Sequence, residues 1–451
     1  MPPQTCKPHQ LTKACLFIFV FLFACLYSFS QQIDSVITIN SSGFKNLRKI
    51  PAWVVPRDFN IASGYSENIR SLQPFKDQVI PAGLVSKKII ARFSVANTRE
   101  NPDSLYFFPG FYFTNVILYK IENNNIVPLP VLAPPIKDSI SFRLFDILPH
   151  DTLTILAECY PLKTYTNAFR PKLINPNYIE SVVMKFQAEN KYVILFTYVF
   201  CGLLLMMILF SLANFLQGRN REFLYYAAYA FFLGLMLFTK QFYYSGSYER
   251  NFFFESYMDF VLQSLGICFF LAFMIRFLET RRNFPFLHKL YVSGIIFLPI
   301  VILLYTYIHY SPVDYFWENL LENYITKNVL LVMILIFLVY AVKNWHHKLL
   351  RYLFWGNTLF LTFSLLSLII VLGNRKLQLP GILNDSLVLY ELGLLIELIF
   401  FLMGLTYKNR TQLIEQTTER ERLKMENERK ELEKQVAVMQ AHQEERERIS
   451  A

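Results

Sequence analysis

Charge is scarce in this chain. Asp, Glu, Lys and Arg make up 17% of its 451 residues, against 54% hydrophobic and 17% aromatic residues. A chain so poor in charge cannot hide all of its apolar surface inside soluble cores. Glycine is sparse at 15 residues, and no Gly-rich phosphate loop occurs. Of the six cysteines, Cys6, Cys15 and Cys25 fall in an amino-terminal apolar segment and Cys201 and Cys268 in long apolar runs, which leaves Cys159 alone between them. One cysteine makes no internal disulfide, and no Cys or His spacing suits zinc. The seven histidines are dispersed, and the pair His346-His347 reads as the flank of a membrane span rather than as metal ligands. No Ser or Cys nucleophile with a His partner and no ATP-binding lid is recognisable. Metal, cofactor and catalytic residues are therefore not expected here, and a binding or signal-transmitting role is expected ahead of an enzymatic one. A membrane transporter is the third class, but Gly202, Gly234, Gly266, Gly294 and Gly404 lack the paired symmetry of broken helices in repeated halves.

What the chain has instead is long apolar runs. A bilayer core takes about 20 apolar residues in a helix. Runs of this kind recur seven times, at Tyr192 to Asn214, Phe223 to Phe238, Tyr257 to Ile275, Leu290 to Ile308, Asn328 to Val342, Tyr352 to Leu372 and Leu387 to Tyr407. Lys and Arg beside membrane ends resist translocation. One set of loops holds Arg219, Arg221, Arg276, Arg281, Arg282, Lys289, Lys343, Lys348, Arg351, Lys408 and Arg410; the other holds Lys240, Arg250, Lys327, Arg375 and Lys376. That bias puts residue 191 outside and residue 408 in the cytoplasm, which requires an odd number of spans. The formal net charge of +10 is spread over these flanks, and the stretch from Lys408 onward balances ten basic residues with ten Glu. No basic stripe is left for a nucleic acid.

Lys7 and Lys13 precede an uncharged run from Ala14 to Tyr27, with Ser28 and Ser30 before Gln31, so residues 1–30 read as a signal peptide. Residues 31–191 are then exported. Short runs rich in β-branched and aromatic residues predict strands at Ser35 to Ile39, Lys88 to Val95, Leu105 to Phe108, Phe111 to Ile121, Ile126 to Val131, Ser139 to Leu144, Thr152 to Cys159 and Ile179 to Phe186. Eight strands in this length predict a β-sandwich of jelly-roll type. The aromatic cluster around Pro109-Gly110, with Tyr106, Phe108, Phe111 and Tyr112, is the candidate ligand-binding surface, because aromatic rings stack on sugars. Alternating aromatic residues on neighbouring strands also build cores.

Ionisable groups inside spans are functional candidates by default. The seventh run carries Glu391 and Glu397, six positions and so about 600° apart on a helix, which puts them on different faces. Glu397 is expected to face the bundle interior, with Asn357 or Gln263 as hydrogen-bonding neighbours. No run holds a Lys at its centre, as a retinal site would require.

From Lys408 to Ala451 there is neither Gly nor Pro, and Gln, Glu, Lys and Arg dominate, which predicts one continuous helix. Met425, Leu432 and Met439 recur every seven residues with Val436 between two of them, the seam of a coiled coil. His442 reads as a surface residue of this helix. The last residues, Gln443-Glu444-Glu445-Arg446-Glu447-Arg448-Ile449-Ser450-Ala451, resemble the opening of the dimerisation and phosphoacceptor helix in histidine kinases related to the nitrate sensors. In that family Glu-Arg-x-Arg-Ile-Ala/Ser leads within a few residues to the phosphorylated His, which would lie beyond Ala451. The whole order, signal, β-rich exported domain, seven spans, signalling helix, resembles the bacterial seven-transmembrane receptors with diverse intracellular signalling modules. The resemblance implies a multi-domain membrane protein of the cytoplasmic membrane: an exported jelly-roll-like sandwich over residues 31–191, a seven-helix bundle over 192–407 and a cytoplasmic coiled-coil helix over 408–451. It also implies the partners: a carbohydrate-like extracytoplasmic ligand, membrane lipid, a second copy in a parallel homodimer and, where a kinase module follows, a response regulator. With another output module the receptor would not be a kinase, so whether the whole protein is an enzyme stays open.

Overall fold

The runs rich in β-branched and aromatic residues form two facing sheets in the computed structural model, which describes residues 36–38, 44–47, 50–61, 72–75, 79–122, 125–132, 141–164, 167–189, 191–243, 252–311, 313–373, 383 and 385–450. The expected signal peptide, residues 1–30, lies outside the described residues. The strands are β1 (Ile37–Thr38), β2 (Phe44–Asn46), β3 (Ala52–Val55), β4 (Gln73–Pro74), β5 (Lys88–Ala96), β6 (Asp103–Phe108), β7 (Phe113–Glu122), β8 (Asn125–Pro128), β9 (Arg143–Ile147), β10 (Thr152–Pro161) and β11 (Lys172–Ile174). One sheet runs β4-β3-β5-β10-β7-β8 and the other β2-β11-β6-β9. Every pairing is antiparallel except that of β1, which lies parallel to β5. From β8 to β11 the chain alternates between the sheets, as it does in jelly rolls.

The period of two along each strand sorts the side chains. Ile89, Ala91, Phe93 and Val95 of β5 meet Leu105 and Phe107 of β6 in the core between the sheets. Phe93 and Phe107 stack with ring centroids 5.2 Å apart. The alternate residues of β6, Tyr106 and Phe108, point the other way and pack with Phe142, Ile174, Ile179 and Val182.

Ile179 and Val182 belong to a helix, Ile179–Glu189, not to the strand expected at Ile179 to Phe186. Two β-branched residues in succession, Val182 and Val183, suggested extension. The buried pair Ile179 and Val182 instead follows helical spacing, Glu180 sits in the first turn, and the Asn175 side chain accepts from the Asn177 N–H just upstream. Strands β2, β3, β4 and β11, of two to four residues, were not among the expected strands. Strand β9 begins at Arg143, later than the expected Ser139.

Among the described residues seven helices are long and apolar enough to cross a membrane: Lys191–Gly218, Arg221–Phe242, Phe254–Phe277, Pro285–Tyr310, Tyr315–Lys343, Lys348–Ile370 and Ser386–His442, called spans 1 to 7. Each packs against the next, and span 7 closes the ring against span 1. Leu203, Leu205, Met206, Leu303 and Val339 remain exposed on the outside, the surface that lipid would cover. Spans 6 and 7 approach closely: a Cβ on Gly393 would stand 2.8 Å from Phe363 Cβ. Span 3 opens on a π-helical stretch, Phe254–Met258, and span 5 carries one, Leu320–Thr326, directly after its first helical turn Tyr315–Asn319. Span 5 begins at Tyr315 rather than at the expected Asn328, since Glu318, Glu322 and Lys327 interrupt the apolar run without ending the helix. The last helix does not stop at the bundle. Ser386–Ser450 is one element of 65 residues, about 97 Å at 1.5 Å per residue.

Candidate functional site

Carboxylates inside an apolar bundle must find partners or a proton, because desolvation penalises the bare charge by several kcal/mol. Glu391 is completely buried, and Thr197 of span 1 donates its hydroxyl to Glu391 Oε1 at 2.7 Å. Glu397 is buried too, and Tyr229 of span 2 donates to its Oε2 at 3.1 Å. One turn along span 2, Tyr226 donates to the Leu398 carbonyl at 3.1 Å. The two carboxylates thus tie one helix to two neighbours. Asn357 donates to the Leu353 carbonyl of its own helix at 2.9 Å, and Gln263 stands with Tyr390 in the lining of one cavity. Neither was found as the partner of Glu397; all three nevertheless line this cavity of about 290 Å³ between the spans, together with Tyr229 and Tyr390. Glu391 lies outside that lining.

At one end of the bundle the sandwich sits on it through polar contacts. Glu318 is completely buried and meets Lys163 of the sandwich at 3.0 Å and His309 of span 4 at 3.1 Å. The Tyr315 N–H donates to Ser86 Oγ at 2.8 Å, and the Tyr315 ring belongs to the sandwich core. Tyr112 donates to Glu255 of span 3 at 3.4 Å. Lys240 with Asp259 at 2.9 Å and Lys327 with Glu322 at 3.3 Å complete this layer. The sequence carried a trace of it, since Glu318 and Glu322 stand four apart and so one turn from each other on a helix. Their partners on distant segments gave no local signal.

At the opposite end Lys408 forms a clamp. It is buried, donates to the carbonyls of Arg276 at 3.2 Å and Phe277 at 3.0 Å, and pairs with Glu222 at 3.4 Å and Glu279 at 3.1 Å. A cation on the last carbonyls of span 3 also meets the negative end of that helix. Spans 2, 3 and 7 are joined at the point where the last helix leaves the ring. Beyond it Met425, Leu432, Val436 and Met439 are all exposed, at 70%, 60%, 45% and 62%. The helix continues through the residues that resemble a phosphoacceptor helix, to Ser450.

In the sandwich, the aromatic cluster packs inward. Tyr106 and Phe108 are buried; Phe108 stacks on Phe142 at 4.4 Å and meets the half-buried Phe111 edge-on at 5.0 Å. Their rings face one another and the helix Ile179–Glu189, while Tyr112 turns to the bundle. A polar network that the sequence did not suggest lies on the opposite sheet. The buried ion pair Lys88–Glu158 receives the Tyr119 hydroxyl at 2.8 Å and the Tyr160 hydroxyl at 2.9 Å, both donating to Glu158. Burial, and then the hydrogen bond to Glu158, push the Tyr160 hydroxyl up to about 12.

A ring of seven apolar helices with partnered carboxylates inside, carrying a β-sandwich, defines a multi-pass membrane protein of receptor type. Residues 194–408 match the model of the family described as 7TM diverse intracellular signalling. No curated protein matches the chain.

Proposed function

We propose that this chain is the sensory and transmembrane part of a bacterial sensor histidine kinase working in a two-component system. In this reading residues 1–30 direct export and residues 31–191 bind a carbohydrate-like ligand outside the cytoplasmic membrane. Residues 192–407 cross that membrane, and residues 408–451 enter the cytoplasm as a parallel two-stranded coiled coil. The observation that carries the reading is the single helix Ser386–Ser450, which runs without interruption from the carboxylates of span 7 to the residues resembling a phosphoacceptor helix. The basic residues gathered in alternate loops support the orientation. The seam of Met425, Leu432, Val436 and Met439 supports the dimer. Output passes to a response regulator through a kinase module following Ala451.

Ligand binding changes how the sandwich bears on Glu318 and Tyr315, and so how span 5 packs in the ring. Span 7 answers by shifting against Thr197 and Tyr229, and the Lys408 clamp converts that shift into rotation of the exposed shaft. Two packings a few kcal/mol apart suffice, because a ligand moves such an equilibrium by its differential affinity alone. Orientation is tested by alkaline phosphatase fusions, active after Lys376 and inactive after Arg282; the reverse result overturns the reading. Coupling is tested by joining a histidine-kinase core after Ala451. One residue inserted after Gln435 turns everything below by about 100° and changes output, whereas seven residues nearly restore the phase. Indifference to the single insertion would make the tail a tether.

A further inference from the structure

We infer that the cavity within the bundle is a binding site for a lipid-soluble amphiphile, an apolar body about two fused rings in size with one hydroxyl head. The inference is independent of what the sandwich binds. The cavity measures about 290 Å³, close to the ~300 Å³ lower limit of small-molecule pockets and about twice the ~150 Å³ that holds a benzene ring. Leu233, Ile267, Leu271, Met274, Met333 and Phe337 give it an apolar wall. Two hydroxyls in that wall, Tyr291 of span 4 and Ser364 of span 6, have no hydrogen-bond partner among the described residues, although Tyr291 is 3% exposed. Folded proteins rarely leave a buried hydroxyl unpaired.

Access selects the ligand. Leu331 lines the cavity and is also exposed on the outer, lipid-facing surface of span 5, so the cavity reaches toward the bilayer and a lipid-soluble molecule can enter sideways. The chemistry of the head follows from the lining. A hydroxyl both donates and accepts, so it can serve the Glu397 carboxyl on one side and the Tyr291 or Ser364 hydroxyl on another. Lys327 also lines the cavity but is already engaged by Glu322 at 3.3 Å and by Asn323, so a carboxylate head beside Glu397 is disfavoured; a hydrocarbon would leave Tyr291 and Ser364 unpaired.

The test uses the full chain in phospholipid nanodiscs with 4-hydroxybenzophenone as a photoreactive two-ring phenol, and maps labelled residues by mass spectrometry. Label is expected on Met274 and Met333, both in the lining. 2-Naphthol should suppress it at about one-tenth the concentration that naphthalene needs, a factor worth ~1.4 kcal/mol. Tyr291→Phe, which keeps the shape and removes the orphan hydroxyl, should bring the two competitors together. Ile334→Trp, which fills the cavity, should remove label from Met274 and Met333 while leaving lipid-facing Met206 labelled. Label confined to the exposed Met206 and Met403, or equal competition by naphthalene in the unmodified chain, would overturn the proposal. If Ile334→Trp does not fold, the competition in the unmodified chain decides alone.

Discussion

The two halves of the helix Ser386–Ser450 are held up by different forces. Above Lys408, Val388, Leu394, Leu398, Phe401 and Leu405 are buried among the other spans; below it Leu413, Ile414, Leu423, Met425 and Leu432 all stand exposed. The upper half is helical because the bundle packs around it. The lower half is helical because its residues favour helix and nothing interrupts them, with exposed pairs such as Lys430–Glu426 at 2.8 Å and Arg429–Glu433 at 3.1 Å each adding about 0.3–0.5 kcal/mol. The same secondary structure is thus packed into the bundle at one end and exposed at the other.

Two lysines on this helix make the sharpest contrast. Lys408→Met should cost about 2–4 kcal/mol in unfolding of the solubilised protein, because Glu222 and the carbonyls of Arg276 and Phe277 lose a buried partner. Lys430→Met, which breaks only an exposed pair, should cost about 0.5 kcal/mol or less. Equal costs would mean that Lys408 is not seated as a clamp.

Within the upper half, Glu397→Leu should cost about 1–3 kcal/mol by leaving the Tyr229 hydroxyl unpaired in the bundle, and Glu397→Gln should fold normally because the amide oxygen still accepts. A bundle indifferent to Glu397→Leu would place Tyr229 in contact with some other acceptor. The smallest effect belongs to the lower half. Ala437→Gly should lower stability of the tail by about 1 kcal/mol, read as lost helical signal in circular dichroism, while the bundle's thermal transition stays put. A shift of that transition would show that the two halves are one cooperative unit.

The bundle was far more legible in the sequence than the contacts that organise it. Hydropathy located all seven spans because a run of about 20 apolar residues has few other uses. It failed at the start of span 5, where Glu318 and Glu322 look like loop residues until Lys163, His309 and Lys327 partner them. Glu391 and Glu397 stood out as charges in apolar surroundings. Their partners Thr197 and Tyr229, nearly 200 positions away in the first case, carry no mark that sets them apart from other span residues. Lys408 read only as a flanking charge, since its role depends on where span 3 ends. In the sandwich, β5, β7 and β10 were clear from length and alternation, whereas β3, four residues between prolines, was not. The helix Ile179–Glu189 was misread because β-branching outweighed a spacing only one burial pair long.

The central claim, that the exposed lower half pairs with a second copy to become a signalling shaft, is tested most directly by disulfide crosslinking of single cysteines in a cysteine-free version of the chain, in membranes. Leu432 and Met439 lie on the heptad seam, and Lys430 lies off it. Cysteine at Leu432 or Met439 should crosslink between copies, and cysteine at Lys430 should do so poorly; equal crosslinking at all three positions, or none at any, would contradict the parallel dimer and with it the shaft.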